Sequence, residues 1–241
     1  MSNPSNNSSD YYLERSFEKI AKDILNNHFN TDKLLIGLGS GRAVSKVVNS
    51  MTDFVIKKCD FICTSMQIKI DAEKKGLTIL DESNIPYIDL VIDGADQIDK
   101  NYFMIKGGGG ALLREKILFN SARKTIIVGD FSKFVNTFSR SLPIEVLPFG
   151  RTAVAPFLKE LGGKPILRTL EKGYPYFTEN GNIILDTIFD NYDKILEIEQ
   201  RIRKIPGVLE TGLFNKPASI YYKALENGDF QKIDTEHHIL Q

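Results

Sequence analysis

Residues 34–48 read LLIGLGSGRAVSKVV: a short apolar run, a glycine-rich loop, then a stretch whose Ala43, Val44, Val47 and Val48 repeat at helical spacing. The apolar run predicts a buried strand and the spacing after the glycines predicts a helix. Helical and apolar-strand patterns continue on both sides. Upstream, Phe17, Ile20, Ala21, Ile24 and Leu25 share one helical face, which begins at Leu13. Downstream, Asp60–Cys63 is a strand with a helix over 67–75 behind it, and Leu90-Val91-Ile92 is a strand leading into Asp93-Gly94-Ala95-Asp96. Four glycines at 107–110 precede a helix over 111–122, and Thr125–Val128 is a further apolar strand. Apolar strands alternating with helices predict an α/β protein, a Rossmann-like parallel sheet covered on both faces.

After about Ser139 the pattern changes. Strands at 144–147, 165–170, 183–188 and 208–213 alternate with helices at 152–161 and 194–203, and Glu179-Asn180-Gly181-Asn182 reads as a turn. Strand-helix-strand-strand-helix-strand is the order of a ferredoxin-like α+β unit. The expected organisation is therefore a disordered tail at 1–12 and a Rossmann-like catalytic domain at 13–138 plus 219–241. A second, smaller ferredoxin-like domain takes 139–218. The tail reading rests on the Ser/Asn-rich start MSNPSNNSSD, which offers little apolar surface to bury.

Composition narrows the function. The chain has 241 residues, 42% hydrophobic and 26% charged, which excludes a fibrous or generally disordered protein. Thirty-one Lys+Arg balance 31 Asp+Glu, so the bulk attraction for phosphate backbones that marks nucleic-acid binders is missing. No apolar run nears the ~20 residues of a membrane helix, and the polar N-terminus carries no secretory signal. Cys59 and Cys63 are too few for a disulfide framework or a zinc site. A reduced, cytoplasmic protein with a small-molecule partner is expected. His28 and the His237-His238 pair sit poorly for a His-dependent triad, which leaves carboxylates and lysines for proton chemistry.

Three constellations carry that chemistry. Gly37-Leu38-Gly39-Ser40-Gly41 joins a strand to a helix, where backbone N–H groups and the helix dipole favour an anion. Arg42 stands where a dinucleotide fingerprint has its third glycine, and the loop is no P-loop. It reads as a phosphate site or as a tight turn needing glycine for sterics alone. Lys106-Gly107-Gly108-Gly109-Gly110 is more specific: glycines this dense before a helix bring backbone close to a ligand, with N–H groups placed to meet a developing oxyanion. Glu115 lies one turn on, among Ala111, Leu112, Leu118 and Phe119. Partial desolvation there makes a carboxylate a stronger base, although Arg114 and Lys116 share those surroundings and a structural ion-pair cluster fits as well. Asp93, Asp96 and Asp99 form the third group. Asp93 falls at the C-terminal edge of its strand, where parallel sheets bind ligands, while Asp96 and Asp99 also suit helix N-caps. Lys133 ends a strand at the same edge.

Together these pieces resemble the ribose-5-phosphate isomerase A family. The matching segments are Gly37–Gly41, Thr64-Ser65, Asp93–Asp96, Ile105–Lys116, Asp130–Lys133, Leu161–Gly163, Glu179–Asn182, Ile205–Gly207 and Gly212–Phe214, in the family's order. The resemblance implies an aldose–ketose isomerase that interconverts D-ribose 5-phosphate and D-ribulose 5-phosphate through a cis-enediol(ate). It implies neither cofactor nor metal, and a homodimer or homotetramer. Glu115 matches the general base that moves a proton between C1 and C2. Asp93, Asp96 and Lys106 match groups that handle ring opening and the intermediate's oxygens. Gly107, Gly108 and Gly109 match the backbone around them, with Gly94 and Ala95 among the substrate-binding positions. Lys19, Ser40, Gly41, Arg42, Ala43 and Lys133 match positions that engage substrate, chiefly its phosphate. The family usually reads Thr-Gly-Ser-Thr where this chain has Ser40-Gly41-Arg42-Ala43, and Gln97 replaces an acid. The alternatives are a non-catalytic sugar-phosphate sensor on the same fold and Schiff-base chemistry at Lys106.

Overall fold

A computed structural model of the protein describes residues 6–29, 33–81 and 87–235; Met1–Ser5 and His237-His238 lie outside them. In chain order the elements are α1 (Asn6–His28), β1 (Leu35–Leu38), α2 (Arg42–Ser50), α3 (Asp53–Lys58), β2 (Asp60–Cys63), α4 (Met66–Lys75), β3 (Thr78–Ile79) and β4 (Ile88–Asp93). Next come β5 (Gln97–Ile98), β6 (Met104–Ile105), α5 (Leu112–Ser121), β7 (Ala122–Asp130), β8 (Leu142–Val146), α6 (Arg151–Glu160) and β9 (Gly163–Leu167). The last are β10 (Ile183–Phe189), α7 (Ile195–Ile202), β11 (Val208–Thr211), β12 (Leu213–Phe214), β13 (Ile220–Ala224) and β14 (Phe230–Asp234).

The chain divides into two compact units. The first takes the chain up to Gly94, Ile117–Phe134, and everything from Ala218 on. Its sheet runs β14-β13-β7-β4-β1-β2-β3, parallel throughout except for the β13–β14 hairpin. β1, β4 and β7 lie side by side, so the loops after them open at one edge. Isoleucines 20, 24, 36 and 92, with Val44, Val47 and Val48, are buried in its core, each worth about 1.5–3 kcal/mol of apolar burial. Local signals set the helix limits: Ser65 accepts a hydrogen bond from the Ile68 N–H across the first turn of α4, and Gly76 ends that helix at φ 80°, a left-handed position that favours glycine. At Gly37 a Cβ would come within 2.7 Å of Val91 Cγ2, so close packing there requires glycine.

The second unit comprises Ala95–Lys116 and Val135–Pro217. Its antiparallel sheet has the order β11-β8-β10-β9, the ferredoxin-like arrangement, with α6 and α7 as the two helices. A three-stranded ribbon, β12-β6-β5, completes it.

Three expectations and one alternative need correction. Residues 6–12 are helical, not tail: adding residues to an established helix costs little. The buried Ser16 anchors this end by donating to the Leu225 carbonyl at 2.8 Å. Residues 95–116, expected in the first domain, belong to the second unit, because β6 pairs with β12 and the Lys106 N–H donates to the Gly212 carbonyl. Neither Asp96 nor Asp99 caps a helix; Asp99 accepts from the N–H groups of Asn101 and Phe103 and closes the β5–β6 turn. The strand expected over 208–213 breaks at Gly212, where a Cβ would overlap the Lys106 carbonyl.

Candidate active site

In the second unit the chain leaves β6 at Ile105 and places Lys106 next, its side chain 3% exposed. Its Nζ lies 3.1 Å from Oε2 of Glu115, itself 4% exposed. Glu115 sits in the first turn of α5, where the helix dipole favours negative charge. A buried ion pair costs desolvation that the mutual attraction must offset, and removing one partner typically costs about 3–5 kcal/mol. The arrangement therefore keeps a carboxylate base and a cation adjacent and out of water, where each acts more strongly on a bound group than it would in solvent. Phe214 adds to it, its ring centroid 5.5 Å from Lys106 Nζ and 5.0 Å from Lys116 Nζ.

The neighbours of Glu115 in sequence go elsewhere. Arg114 donates through Nε to Asn180 Oδ1 at 2.9 Å. Lys116 donates to Glu210 Oε1 at 2.9 Å and to the Thr211 carbonyl at 2.6 Å; burial lowers its pKa, while Glu210 opposes the shift. Arg114 and Lys116 thus each have partners of their own.

Between Lys106 and α5 lies the glycine loop. Gly107 and Gly110 adopt φ of 100° and 85°. Asp96 Oδ2 accepts the Gly108 N–H at 2.7 Å, and a Cβ on Gly108 would meet that carboxylate at 2.6 Å. Asp96, Lys106, Gly107–Gly109 and Glu115 are thus gathered in one unit, with Ala95 beside them in sequence. Three residues that sequence reasoning missed also hold the loop: Arg168, Tyr176 and Asp186. Arg168 NH1 donates to the Gly107 carbonyl at 2.7 Å and the Gly108 carbonyl at 3.1 Å, and Tyr176 Oη donates to the Gly109 carbonyl at 3.0 Å.

The other candidates lie at the C-terminal edge of the parallel sheet in the first unit. Asp93 is fully buried at the end of β4, and its Oδ1 accepts the Gly94 N–H at 2.7 Å. A side chain on Gly39 would overlap the Asp93 carboxylate, and one on Gly94 would sit 4.0 Å from the Ser40 carbonyl. Close approach requires glycine at 39, whereas the distances at 94 are ordinary contact. The Gly41 N–H is taken by Gln67 Oε1 at 3.0 Å, a contact from α4 with no local sequence signal. Arg42 opens α2 with its guanidinium 5.9 Å from the Phe17 ring centroid and 4.0 Å from Glu14. Ala43 packs against the core. Lys133 follows β7 in a short turn where Asp130 accepts the Ser132 N–H. Lys19 is placed on α1, where its Nζ pairs with Asp229 at 3.4 Å. Among the described residues no three His, Cys, Asp or Glu side chains gather as metal ligands, and no helix is long and apolar enough to cross a membrane.

Residues 60–228 match the family model described as ribose 5-phosphate isomerase A (phosphoriboisomerase A). A ribose-5-phosphate isomerase A of Oceanobacillus iheyensis is 41% identical over 187 residues, covering 76% of this chain and 83% of that protein. The ribose 5-phosphate isomerase structure from Plasmodium falciparum superposes with a TM-score of 0.83 at 29% identity, covering 92% of this chain and 97% of its own. A D-ribose-5-phosphate isomerase in complex with phospho-erythronic acid gives a TM-score of 0.80 at 30% identity, covering 92% and 97%.

Proposed function

The chain belongs to the ribose 5-phosphate isomerase A family, and on that premise we propose how this pentose-phosphate isomerase moves its proton: Glu115 carries it between C1 and C2 while Lys106 stabilises the oxygen that becomes negative. The observation that carries the reading is the buried Lys106–Glu115 pair, with base and cation 3.1 Å apart. In the open-chain aldose, the Glu115 carboxylate takes the C2 proton. The C–H electrons form the C1–C2 double bond, and the carbonyl electrons move onto O1. The Lys106 ammonium and backbone N–H groups of the glycine loop lower the energy of that oxyanion; one such donor is typically worth ~3–4 kcal/mol. Glu115 then returns the proton to C1, O1 is protonated and O2 gives up its proton, leaving the C2 carbonyl of the ketose. A positioned base of this kind contributes about 10²–10⁴-fold.

Asp93 and Asp96 are assigned the hydroxyl protons of ring opening on the family resemblance. The phosphate end is assigned to Ser40–Ala43 and Lys133, with the N-terminal end of α2, which has no side-chain cap, favouring an anion. Lys19, already paired with Asp229, enters only through the resemblance. The enzyme is assigned to the cytoplasm as a homodimer or homotetramer on the same ground, and two buried cysteines outside any disulfide suit a reducing compartment. The test is a coupled isomerase assay on ribose 5-phosphate in excess chelator, with borohydride added in parallel. Undiminished turnover and an unmodified Lys106 are expected. Chelator-dependent loss, or a reduced covalent adduct on Lys106, would overturn the reading.

A further inference from the structure

Arg168 follows β9 and faces Asp186 on β10. Its Nε and NH2 donate to the two Asp186 oxygens at 2.8 and 2.5 Å, a fork-to-fork pair that fixes the guanidinium plane. That leaves NH1 for the Gly107 and Gly108 carbonyls at 2.7 and 3.1 Å. A pair serving only the hairpin would need Asp186 alone; here one donor reaches across 60 and 61 positions of sequence to two consecutive loop carbonyls. Tyr176 stands beside it, with Arg168 Cζ 5.9 Å from its ring centroid, and takes the third carbonyl, that of Gly109. The space a Gly110 side chain would need is occupied by this same Tyr176 ring.

These contacts fix where the N–H groups point. Among the described residues no peptide bond is cis, and in a trans peptide the carbonyl of one residue and the N–H of the next face opposite ways. With the Gly107 carbonyl on Arg168, the Gly108 N–H faces away and reaches Asp96 at 2.7 Å. With the Gly108 carbonyl on the same guanidinium, the Gly109 N–H is turned away from it too, and Gly109 is exposed. The Gly110 N–H folds back to the Gly107 carbonyl at 3.0 Å, which closes the turn.

We propose that Arg168, held by Asp186 and assisted by Tyr176, is a positioning residue that draws the 107–109 carbonyls aside so that the Gly109 N–H serves as an oxyanion donor beside Lys106. The proposal rests on the reading of Glu115 and Lys106 given above. A four-glycine loop without such a clamp samples many conformations, and a peptide flip would present a carbonyl where the negative oxygen develops. Arg168 acts through the loop and touches no substrate itself.

The test compares R168M, R168K, Y176F and E115Q, using kcat and KM for ribose 5-phosphate, affinity for phospho-erythronic acid, whose carboxylate resembles the enediolate, and thermal melting. In R168M, kcat should fall about 10²-fold, the loss typical of a displaced or missing oxyanion donor. Analogue affinity should fall in parallel, with KM within about threefold of wild type. R168K, a cation without the planar fork, should recover part of the loss. If R168M fails to fold, Y176F carries the test, with about a tenfold loss in kcat and the same KM split. Unchanged kcat in the folded variants, or KM rising as much as analogue affinity falls, would overturn the proposal while an inactive E115Q left the parent reading standing. An active E115Q would instead overturn the parent reading.

Discussion

In the proposed mechanism Glu115 and Lys106 carry the chemistry; each is nearly without solvent and each has the other as partner. Replacing the carboxylate by its isosteric amide keeps shape and removes the proton acceptor. E115Q is therefore expected to bind sugar phosphate with KM within a few-fold of wild type while kcat drops by about 10²–10⁴-fold. Steady-state kinetics with a calorimetric binding control checks this, and turnover near wild type would refute the role. Legibility at this scale was uneven. The Lys-Gly-Gly-Gly block and its distance to Glu115 stood out in the sequence because consecutive glycines before a helix are costly without a backbone reason. Arg168, Tyr176 and Asp186 did not, because their value comes from contacts 60 or more positions away, and an arginine in a hairpin has many ordinary uses.

At the scale of elements, the strand–glycine loop–helix order of residues 34–48 was legible because each device is local: apolar run, close-approach glycines, helical spacing. Elements defined by partners were harder to read. The two-residue strands β5 and β6 exist only because β12 pairs with β6 and Asp99 closes their turn, and nothing in 95–105 alone separates that ribbon from a capped helix. The N-terminal turns of α1 had a polar composition that hid a helix anchored through Ser16. The loop into α2 gives a prediction of its own. Arg42 is 64% exposed in its side chain, with Glu14 no nearer than 4.0 Å, so its fork remains available to a phosphate. R42A should raise KM for ribose 5-phosphate about tenfold, the worth of one charge-assisted contact of ~1.5 kcal/mol, and leave binding of ribose itself unchanged. Equal losses for both sugars would remove Arg42 from the phosphate end.

Across the whole molecule, acid stability has an identifiable contributor at the end of α1. His28 is held at about 4, below its usual 6.5, first by burial and then by Lys124 and Lys232, against Asp23 and Asp234. Its Nε2 lies 3.4 Å from the Tyr222 hydroxyl, which donates to Asp23 at 2.6 Å. Because the folded value is depressed, the unfolded chain binds the proton first between the usual 6.5 and about 4, so stability is present above that window and is lost as pH falls through it. H28Q should flatten the decline in melting temperature between those limits, by an amount equivalent to about 1–2 kcal/mol once solvent screening of a half-exposed ring is allowed for. Parallel melting curves for the two proteins would contradict this.

Isotope exchange at the reacting carbons reaches the centre of the account most directly. Ribose 5-phosphate is isomerised in deuterium oxide by wild type and by E115Q at matched protein concentration, and the sugars are read by NMR. A proton resting on a carboxylate exchanges with solvent in at least a fraction of turnovers even at a shielded site, so some deuterium should appear at C1 of the ketose and at C2 of recovered aldose with wild type, and at neither with E115Q. Complete retention of hydrogen by wild type, or undiminished deuterium uptake by E115Q, would contradict it.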